Sequence, residues 1–273
     1  MSRTTERLER LLLFSTLLFL YTVPLFSYIL PVQCRGTRIF VPFFIASSLL
    51  SIAYAVLCLC YRGFVDLVSE NINPLTEYST SNCTICMQFK PERAHHCSRC
   101  RRCIKKMDHH CHWLGRCINY HNLGHFTRFL FFTFVSTAML LAYNLVFFIN
   151  AVFRNTEQIS KGVAALVVVT FFVAGLISLV TVSHFLTQMF MILNNITFIE
   201  TMKKHSFGGA RKSPLDSIYN VGWYNNLVDV FGSPLLLFLW MPSGDGLNYS
   251  KRIEPESAFI NSTYYDDDMY DNV

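Results

Sequence analysis

The fold of this chain is decided by residues 83–117, which read CTICMQFKPERAHHCSRCRRCIKKMDHHCHWLGRC. The segment holds seven of the ten cysteines and also five histidines. Cys83-x2-Cys86 and Cys97-x2-Cys100 have the spacing with which a short turn brings two thiolates to one tetrahedral Zn²⁺. In a reducing compartment such a density of thiols is typical of metal binding rather than of disulfides. The segment therefore predicts a zinc-binding module.

The number of cysteines in this segment exceeds what two zinc sites require. A closed structural zinc site takes four protein ligands. Two sites of three cysteines and one histidine use six of the seven cysteines, so one thiol is left over. Spacing alone leaves open which one it is. The two zinc ions and several basic residues would lie close to this thiol and favour its thiolate form. We therefore expect it to be a nucleophile.

Four stretches without Asp, Glu, Lys or Arg flank this module, two on each side. Each is long enough for a helix to cross a hydrocarbon core of about 30 Å, which takes about 20 residues. Backbone groups in lipid are satisfied within a helix. A signal peptide is the alternative for the first stretch, although its apolar run is longer than a signal h-region. The predicted spans are residues 11–31, 39–61, 129–153 and 163–193.

These observations predict an all-α integral membrane protein with four transmembrane helices and a cytosolic zinc-binding domain between helices 2 and 3. Hydrophobic residues make up 52% of the chain and charged residues 15%, which excludes an ordinary soluble domain. The last segment ends in an acidic stretch that we expect to be disordered. The predicted segments are 1–61 with two spans, the cysteine-rich domain 62–128, 129–193 with two spans, and the tail 194–273.

The distribution of Lys and Arg predicts the orientation. Nineteen of the 23 lie in the N-terminus, the central segment and the tail, and four lie in the two short loops between spans. Since positive residues are retained in the cytosol, we expect both termini and the cysteine-rich domain to be cytosolic. The expected location is an endomembrane such as ER, Golgi or vacuole, with the lipid bilayer as a partner and no nucleic acid.

One long motif in this region resembles a known family. The residues Cys83-x2-Cys86-x3-Lys90-Pro91-x-Arg93-x2-His96-Cys97-x2-Cys100-x2-Cys103-x4-Asp108-His109-His110-Cys111-x-Trp113 are similar to those of the DHHC palmitoyltransferases. The four-span layout with a cysteine-rich insert is also similar. The resemblance implies a protein S-acyltransferase that moves a long-chain acyl group from acyl-CoA, such as palmitoyl-CoA, to cysteines of membrane-associated proteins.

The resemblance also implies roles for individual residues. Cys111 matches the acyl-accepting cysteine, His109 the general base and Asp108 the carboxylate that orients it. Two structural Zn²⁺ ions are implied, the first with ligands Cys83, Cys86, His96 and Cys103, and the second with ligands Cys97, Cys100, His110 and Cys117. Lys90 and Arg93 are candidates for binding the phosphates of acyl-CoA, and the alternative for both is a generic basic surface near anionic lipid.

Four positions depart from the family pattern. His112 stands where the family commonly has Pro, and Arg116 where it has Asn. Phe198 replaces the second Thr of a Thr-Thr-x-Glu motif, and Ser217 replaces an Asn. We expect these changes to alter active-site packing and not the identity of the nucleophile.

A different class of function is the main alternative. A membrane-anchored zinc-binding interaction module would use the same two metal sites without acyl transfer, and it would need no leftover thiol. A zinc transporter would need polar ligands inside the spans, where His184 is the candidate that the sequence offers. An accessory subunit is a further partner that the sequence leaves open.

Overall fold

Apolar helices form most of the protein, whose computed structural model describes residues 3–30, 35–65, 79–153, 160–206, 217–232 and 244–252. Within these ranges four helices are long and apolar enough to cross a membrane. They are α1 (Arg3–Pro24), which continues into a π-helical turn (Leu25–Ile29), α2 (Arg35–Cys60), α3 (Leu123–Phe153) and α4 (Lys161–Leu193).

The helices begin earlier in sequence than the predicted spans. Helix α1 begins at Arg3 rather than residue 11, and α3 begins at Leu123 rather than residue 129. The spans were bounded by charged side chains, which end an apolar run but are good helix formers. Pro24 lies where α1 gives way to the π-helical turn, consistent with the missing N–H and the bulk of the proline ring.

One compact unit comprises residues 3–57 and 125–188, which contain most of the four long helices. Hydroxyl and amide groups link its helices through buried hydrogen bonds. The Tyr28 hydroxyl donates to Asn144 Oδ1 at 2.7 Å and lies 2.9 Å from the Thr170 hydroxyl. Such polar contacts are typical of helix packing where the surroundings offer no water.

The second compact unit contains the described residues of 58–124 and those from residue 189 onward. Its cysteine-rich part consists of three two-stranded antiparallel hairpins. The strand pairs are β1 (Ser79–Cys83) with β2 (Gln88–Pro91), β3 (His95–Cys97) with β4 (Arg102–Ile104), and β5 (His109–Cys111) with β6 (Arg116–Ile118).

These hairpins correct the all-α prediction: the chain is mostly helical, with short strands between α2 and α3. Their sequences lack the apolar alternation that marks a strand, because several of the buried strand positions, such as Cys83, His96 and Cys103, are occupied by cysteine or histidine. Among the described residues, two short helices follow α4, namely α5 (Phe198–Ser206) and α6 (Trp223–Phe231). The predicted acidic, disordered end of the tail, residues 253–273, lies outside the described residues.

Two fully buried asparagines join the end of α2 to the third hairpin. Asn122 Nδ2 donates to the carbonyl oxygens of Cys58, Tyr61 and Cys117 at 3.0–3.3 Å. Asn119 lies against Gly63, which has a φ of +59°. A Cβ atom on residue 63 would overlap the Asn119 side chain, so glycine is required here both by backbone conformation and by space.

Replacing Gly63 with alanine is therefore expected to lower the unfolding free energy by about 1–3 kcal/mol. Thermal unfolding of the protein in detergent measures the change. Gly162→Ala is the matched control, because nothing lies within 4 Å of a Cβ at that position. An equal melting temperature for the Gly63 variant and the control would contradict this account of Gly63.

Candidate active site and zinc centres

The first predicted ligand set converges in the structure. Ligand atoms of Cys83, Cys86, His96 and Cys103 all lie within 4.8 Å of one another. His96 Nδ1 is 3.6 Å from Cys83 Sγ and 3.2 Å from Cys86 Sγ. Ligand distances of about 2.0–2.3 Å around a tetrahedral Zn²⁺ imply ligand–ligand separations of about 3.5–3.8 Å. The residues therefore fit a closed zinc site.

The second predicted ligand set has the same form. His110 Nδ1 lies 3.5–3.6 Å from the sulfur atoms of Cys97, Cys100 and Cys117. The Cys100 and Cys117 sulfurs are 3.4 Å apart. Hydrogen bonds with Cys100 and Cys97, together with burial, raise the pKa of Cys117 far above its ordinary value. Three thiolates this close together need a cation between them, which again fits a divalent metal.

The two sites are interleaved along the chain. The first hairpin supplies Cys83 and Cys86, and the second hairpin completes that site with His96 and Cys103. The second hairpin also supplies Cys97 and Cys100, and the third completes the second site. A zinc ion in each site would therefore fix the three hairpins relative to one another.

Asp108, His109 and Cys111 lie together at the third hairpin. The His109 Nδ1–H donates to Asp108 Oδ2 at 2.7 Å, and His109 also hydrogen-bonds with Cys111. Burial disfavours a charged imidazole, but the hydrogen bonds with Asp108 and Cys111 outweigh it and raise the pKa of His109 to about 10. An imidazolium at this position stabilises negative charge on a neighbouring sulfur.

The first turn of α5 holds the other oxygen of Asp108. The Phe198 N–H donates to Asp108 Oδ1 at 2.9 Å, and Asp108 is 2% exposed. Thr197 and Glu200 form a capping box, in which each side chain accepts from the backbone N–H of the other. This leaves the N–H of Phe198, the first residue of α5, free to bind the carboxylate. Because the backbone makes this contact, the Phe198 departure from the family motif leaves it intact.

Arg93 is buried within the same unit. Its guanidinium donates to both carboxylate oxygens of Glu200, at 2.7 and 2.9 Å, and to Asn195 Oδ1 and the Asn195 carbonyl, at 2.9 and 3.0 Å. It also lies over the rings of Tyr219 and Tyr249. Of the five N–H donors of an arginine, four are thus engaged.

This network bears on the prediction that Arg93 and Lys90 bind acyl-CoA. The Arg93 side chain is 1% exposed and Lys90 is 2% exposed, so neither presents its charge to solvent. For Arg93 the geometry favours a structural role, because its donors already serve Glu200 and Asn195. The prediction for Lys90 stays a prediction.

Several residues that hold this site in place were not among the predicted site residues. Asn195, Tyr219 and Tyr249 complete the surroundings of Arg93, and Lys106 pairs with Asp229 at 2.8 Å. Isolated polar residues in the tail carry no local pattern that identifies them. The Thr197-x2-Glu200 spacing was the available signal, because it is a capping box in front of a helix.

Comparisons with known proteins show the family to which the chain is similar. Residues 76–205 match the family described as DHHC palmitoyltransferase. The chain is 32% identical over 216 residues to "Probable protein S-acyltransferase 13" of Arabidopsis thaliana, covering 74% of this chain and 68% of that protein.

Two vertebrate relatives are similar over a shorter part of their length. Palmitoyltransferase ZDHHC20-B of Danio rerio is 32% identical over 180 residues, covering 64% of this chain and 54% of that protein. Palmitoyltransferase ZDHHC20 of Homo sapiens is 31% identical over 184 residues, covering 65% and 49%. The chain thus spans about half to two thirds of the length of these three relatives.

Proposed function

Since the chain belongs to the DHHC palmitoyltransferase family, we propose that it is a protein S-acyltransferase that uses Cys111 as the acyl acceptor. The observation that carries the proposal is the Asp108–His109–Cys111 arrangement, with its 2.7 Å bond between His109 and Asp108. Of the ten other cysteines and histidines in residues 83–117, eight form two sets of four potential metal ligands. Cys111 is the cysteine of residues 83–117 that neither set uses.

The proposed first step acylates the enzyme. The Cys111 thiolate attacks the carbonyl carbon of a long-chain acyl-CoA, such as palmitoyl-CoA, while its proton resides on His109. The bond between the carbonyl carbon and the CoA sulfur breaks, and the leaving thiolate takes a proton from His109. Asp108 keeps Nδ1 of His109 as the donor to its carboxylate, which leaves Nε2 for the reacting sulfurs.

The proposed second step transfers the acyl group to a protein. A substrate thiol gives its proton to His109 and attacks the acyl-Cys111 carbonyl, and the Cys111 thiolate leaves. Each step exchanges one thioester for another, so the energetic requirement is alignment rather than driving force. The two Zn²⁺ ions would supply a rigid scaffold, since their coordination positions are filled by protein.

We also propose that the four long helices cross the bilayer, with both termini and the cysteine-rich unit in the cytosol. The distribution of Lys and Arg supports this orientation. The substrates are then membrane-associated proteins with cytosolic cysteines, and the protein resides in an endomembrane. A native protein whose mobility shifts on endoglycosidase treatment would contradict the orientation, because the proposal places all four Asn-x-Ser/Thr sequons, at Asn82, Asn195, Asn248 and Asn261, on the cytosolic side or at its membrane edge.

Incubation of the purified protein with labelled palmitoyl-CoA tests the activity. We expect a hydroxylamine-sensitive label on Cys111 in the wild type and none in Cys111→Ser. The zinc content should be two ions per chain in both proteins, because Cys111 lies outside both ligand sets. Absence of label in a wild type that retains its zinc would favour the binding module instead. Label that persists in the serine variant would assign the acyl group to another residue.

A further inference from the structure

The three hairpins repeat one another with a period of 14 residues. Their cross-strand pairs have the same register when shifted by that number. The equivalent pairs are Asn82–Phe89, His96–Cys103 and His110–Cys117, and, one position inward, Cys83–Gln88, Cys97–Arg102 and Cys111–Arg116. Cys111 therefore occupies in the third hairpin the place that Cys83 and Cys97 occupy in the first two.

Backbone dihedral angles show the same repeat independently of the cross-strand pairing. Each hairpin has one residue with positive φ at the same point of its turn, and these residues are again 14 apart: Met87 at 53°, Arg101 at 55° and Gly115 at 55°. In a non-glycine residue this conformation is uncommon, so its recurrence identifies one turn geometry used three times. The third hairpin therefore has the same backbone conformation as the two hairpins that carry the Cys-x2-Cys pairs. We call a hairpin of this form a zinc knuckle.

The spacing of the metal ligands is the same in both sets and follows the 14-residue repeat. Each metal set takes a cysteine, the cysteine three residues later, the histidine 13 residues later and the cysteine 20 residues later. From Cys83 these steps give Cys86, His96 and Cys103, and from Cys97 they give Cys100, His110 and Cys117. From Cys111 the same steps reach Leu114, Gly124 and Phe131, none of which binds metal.

We propose that Cys111 is the first cysteine of a third, incomplete zinc knuckle, and that Leu114 is the positioning residue that keeps its sulfur free of metal. The inference rests on the proposed role of Cys111 as acyl acceptor. A thiolate serves either as a metal ligand or as a nucleophile. In the first two hairpins Cys86 and Cys100 supply the second sulfur. In the third, the apolar side chain of Leu114, 0% exposed, stands in that place.

The order of the three hairpins explains why the third knuckle also lacks the His and Cys ligands of the other sites. The first hairpin carries only the Cys-x2-Cys pair, the second carries both that pair and the His and Cys that close the preceding site, and the third closes the preceding site only. A fourth hairpin would supply the missing His and Cys, but α3 begins at Leu123 instead. The nucleophile thus has a rigid knuckle backbone without the ligands that would occupy its sulfur.

The test replaces Leu114 with cysteine, the residue at the equivalent position of the other two knuckles. The purified Leu114→Cys protein is titrated with Zn²⁺ and, separately, with Cd²⁺, whose thiolate complexes absorb in the ultraviolet. We expect a third metal equivalent beyond the two native ones, bound more weakly because only two of its four ligand positions are protein sulfurs, with additional cadmium–thiolate absorbance. Alkylation of Cys111, followed by peptide mapping, should slow by about tenfold or more when metal is present and recover with a weak chelator.

Leu114→Ser is the matched control, because it removes the same apolar side chain without adding a soft ligand. It should bind two metals and leave Cys111 open to alkylation. If Leu114→Cys does not retain its two native metals, Leu114→His takes its place, since imidazole is also a zinc ligand. The inference is overturned if neither variant gains a metal, or if added Zn²⁺ protects Cys111 in the wild type. A wild type that takes no acyl label would refute the proposed function while leaving these metal counts unaffected.

Discussion

Replacing Asp108 with asparagine is expected to slow acylation of Cys111 by about 10³–10⁴-fold. The carboxylate holds His109 Nδ1 at 2.7 Å and is itself held by the Phe198 N–H at 2.9 Å. The neutral amide keeps the shape of the side chain but loses the charge that favours an imidazolium. The pKa of His109, raised to about 10 largely by this hydrogen bond against the cost of burial, should therefore fall. Single-turnover labelling with palmitoyl-CoA measures the rate.

Zinc content separates this effect from a loss of structure. Asp108 belongs to neither ligand set, so the asparagine variant should retain two ions per chain. Asp229→Asn is a suitable comparison, because it also removes an acidic charge from an ion pair, the partly buried one with Lys106, but lies outside the triad. The proposed role of Asp108 is wrong if its variant acylates at the wild-type rate. It is equally wrong if the two variants lose activity to the same degree.

The sequence predicted the metal-binding character of the cysteine-rich segment, because Cys-x2-Cys pairs are local patterns that can be recognised without a structure. The histidine ligands lie farther along the chain, and the family resemblance rather than their spacing assigned them. The helices were likewise predictable from long uncharged runs. Both kinds of pattern depend on neighbours in sequence rather than on contacts across the fold.

The contacts around the triad were not predictable in this way. Phe198 lies 90 residues from Asp108, and its contact is made by a backbone N–H that has no sequence signature. Lys90 and Arg93 looked like exposed basic residues, since the side-chain partners Glu200 and Asn195 of Arg93 lie more than 100 residues away in sequence. The 14-residue repeat was visible in His95-His96-Cys97 and His109-His110-Cys111, but its meaning depends on the shared register.

Loss of the Arg93 side chain is expected to destabilise the cysteine-rich unit by about 3 kcal/mol, the lower end of the range for a buried pair, because Arg93→Ala removes the partner of the Glu200 carboxylate, whose side chain is 20% exposed. Burial by itself raises the pKa of Glu200, but Arg93 lowers it below its ordinary value. Without Arg93 the burial effect dominates and that pKa rises. The loss of unfolding free energy in Arg93→Ala should therefore be largest near neutral pH. It should become smaller as the pH falls and Glu200 is protonated. Thermal unfolding in detergent at several pH values measures both effects.

Arg101→Ala is the matched control for Arg93, since Arg101 belongs to the same segment but is exposed. Its effect should be within about 0.5 kcal/mol, as for most surface substitutions. Because Glu200 caps the turn of α5 that holds Asp108, Arg93→Ala should also slow acylation at temperatures where the protein is still folded. Glu200→Gln should share this slowing, since it weakens the same pair from the other side. If Arg93→Ala has the same unfolding free energy and the same acylation rate as Arg101→Ala, the Arg93 network does not support the site.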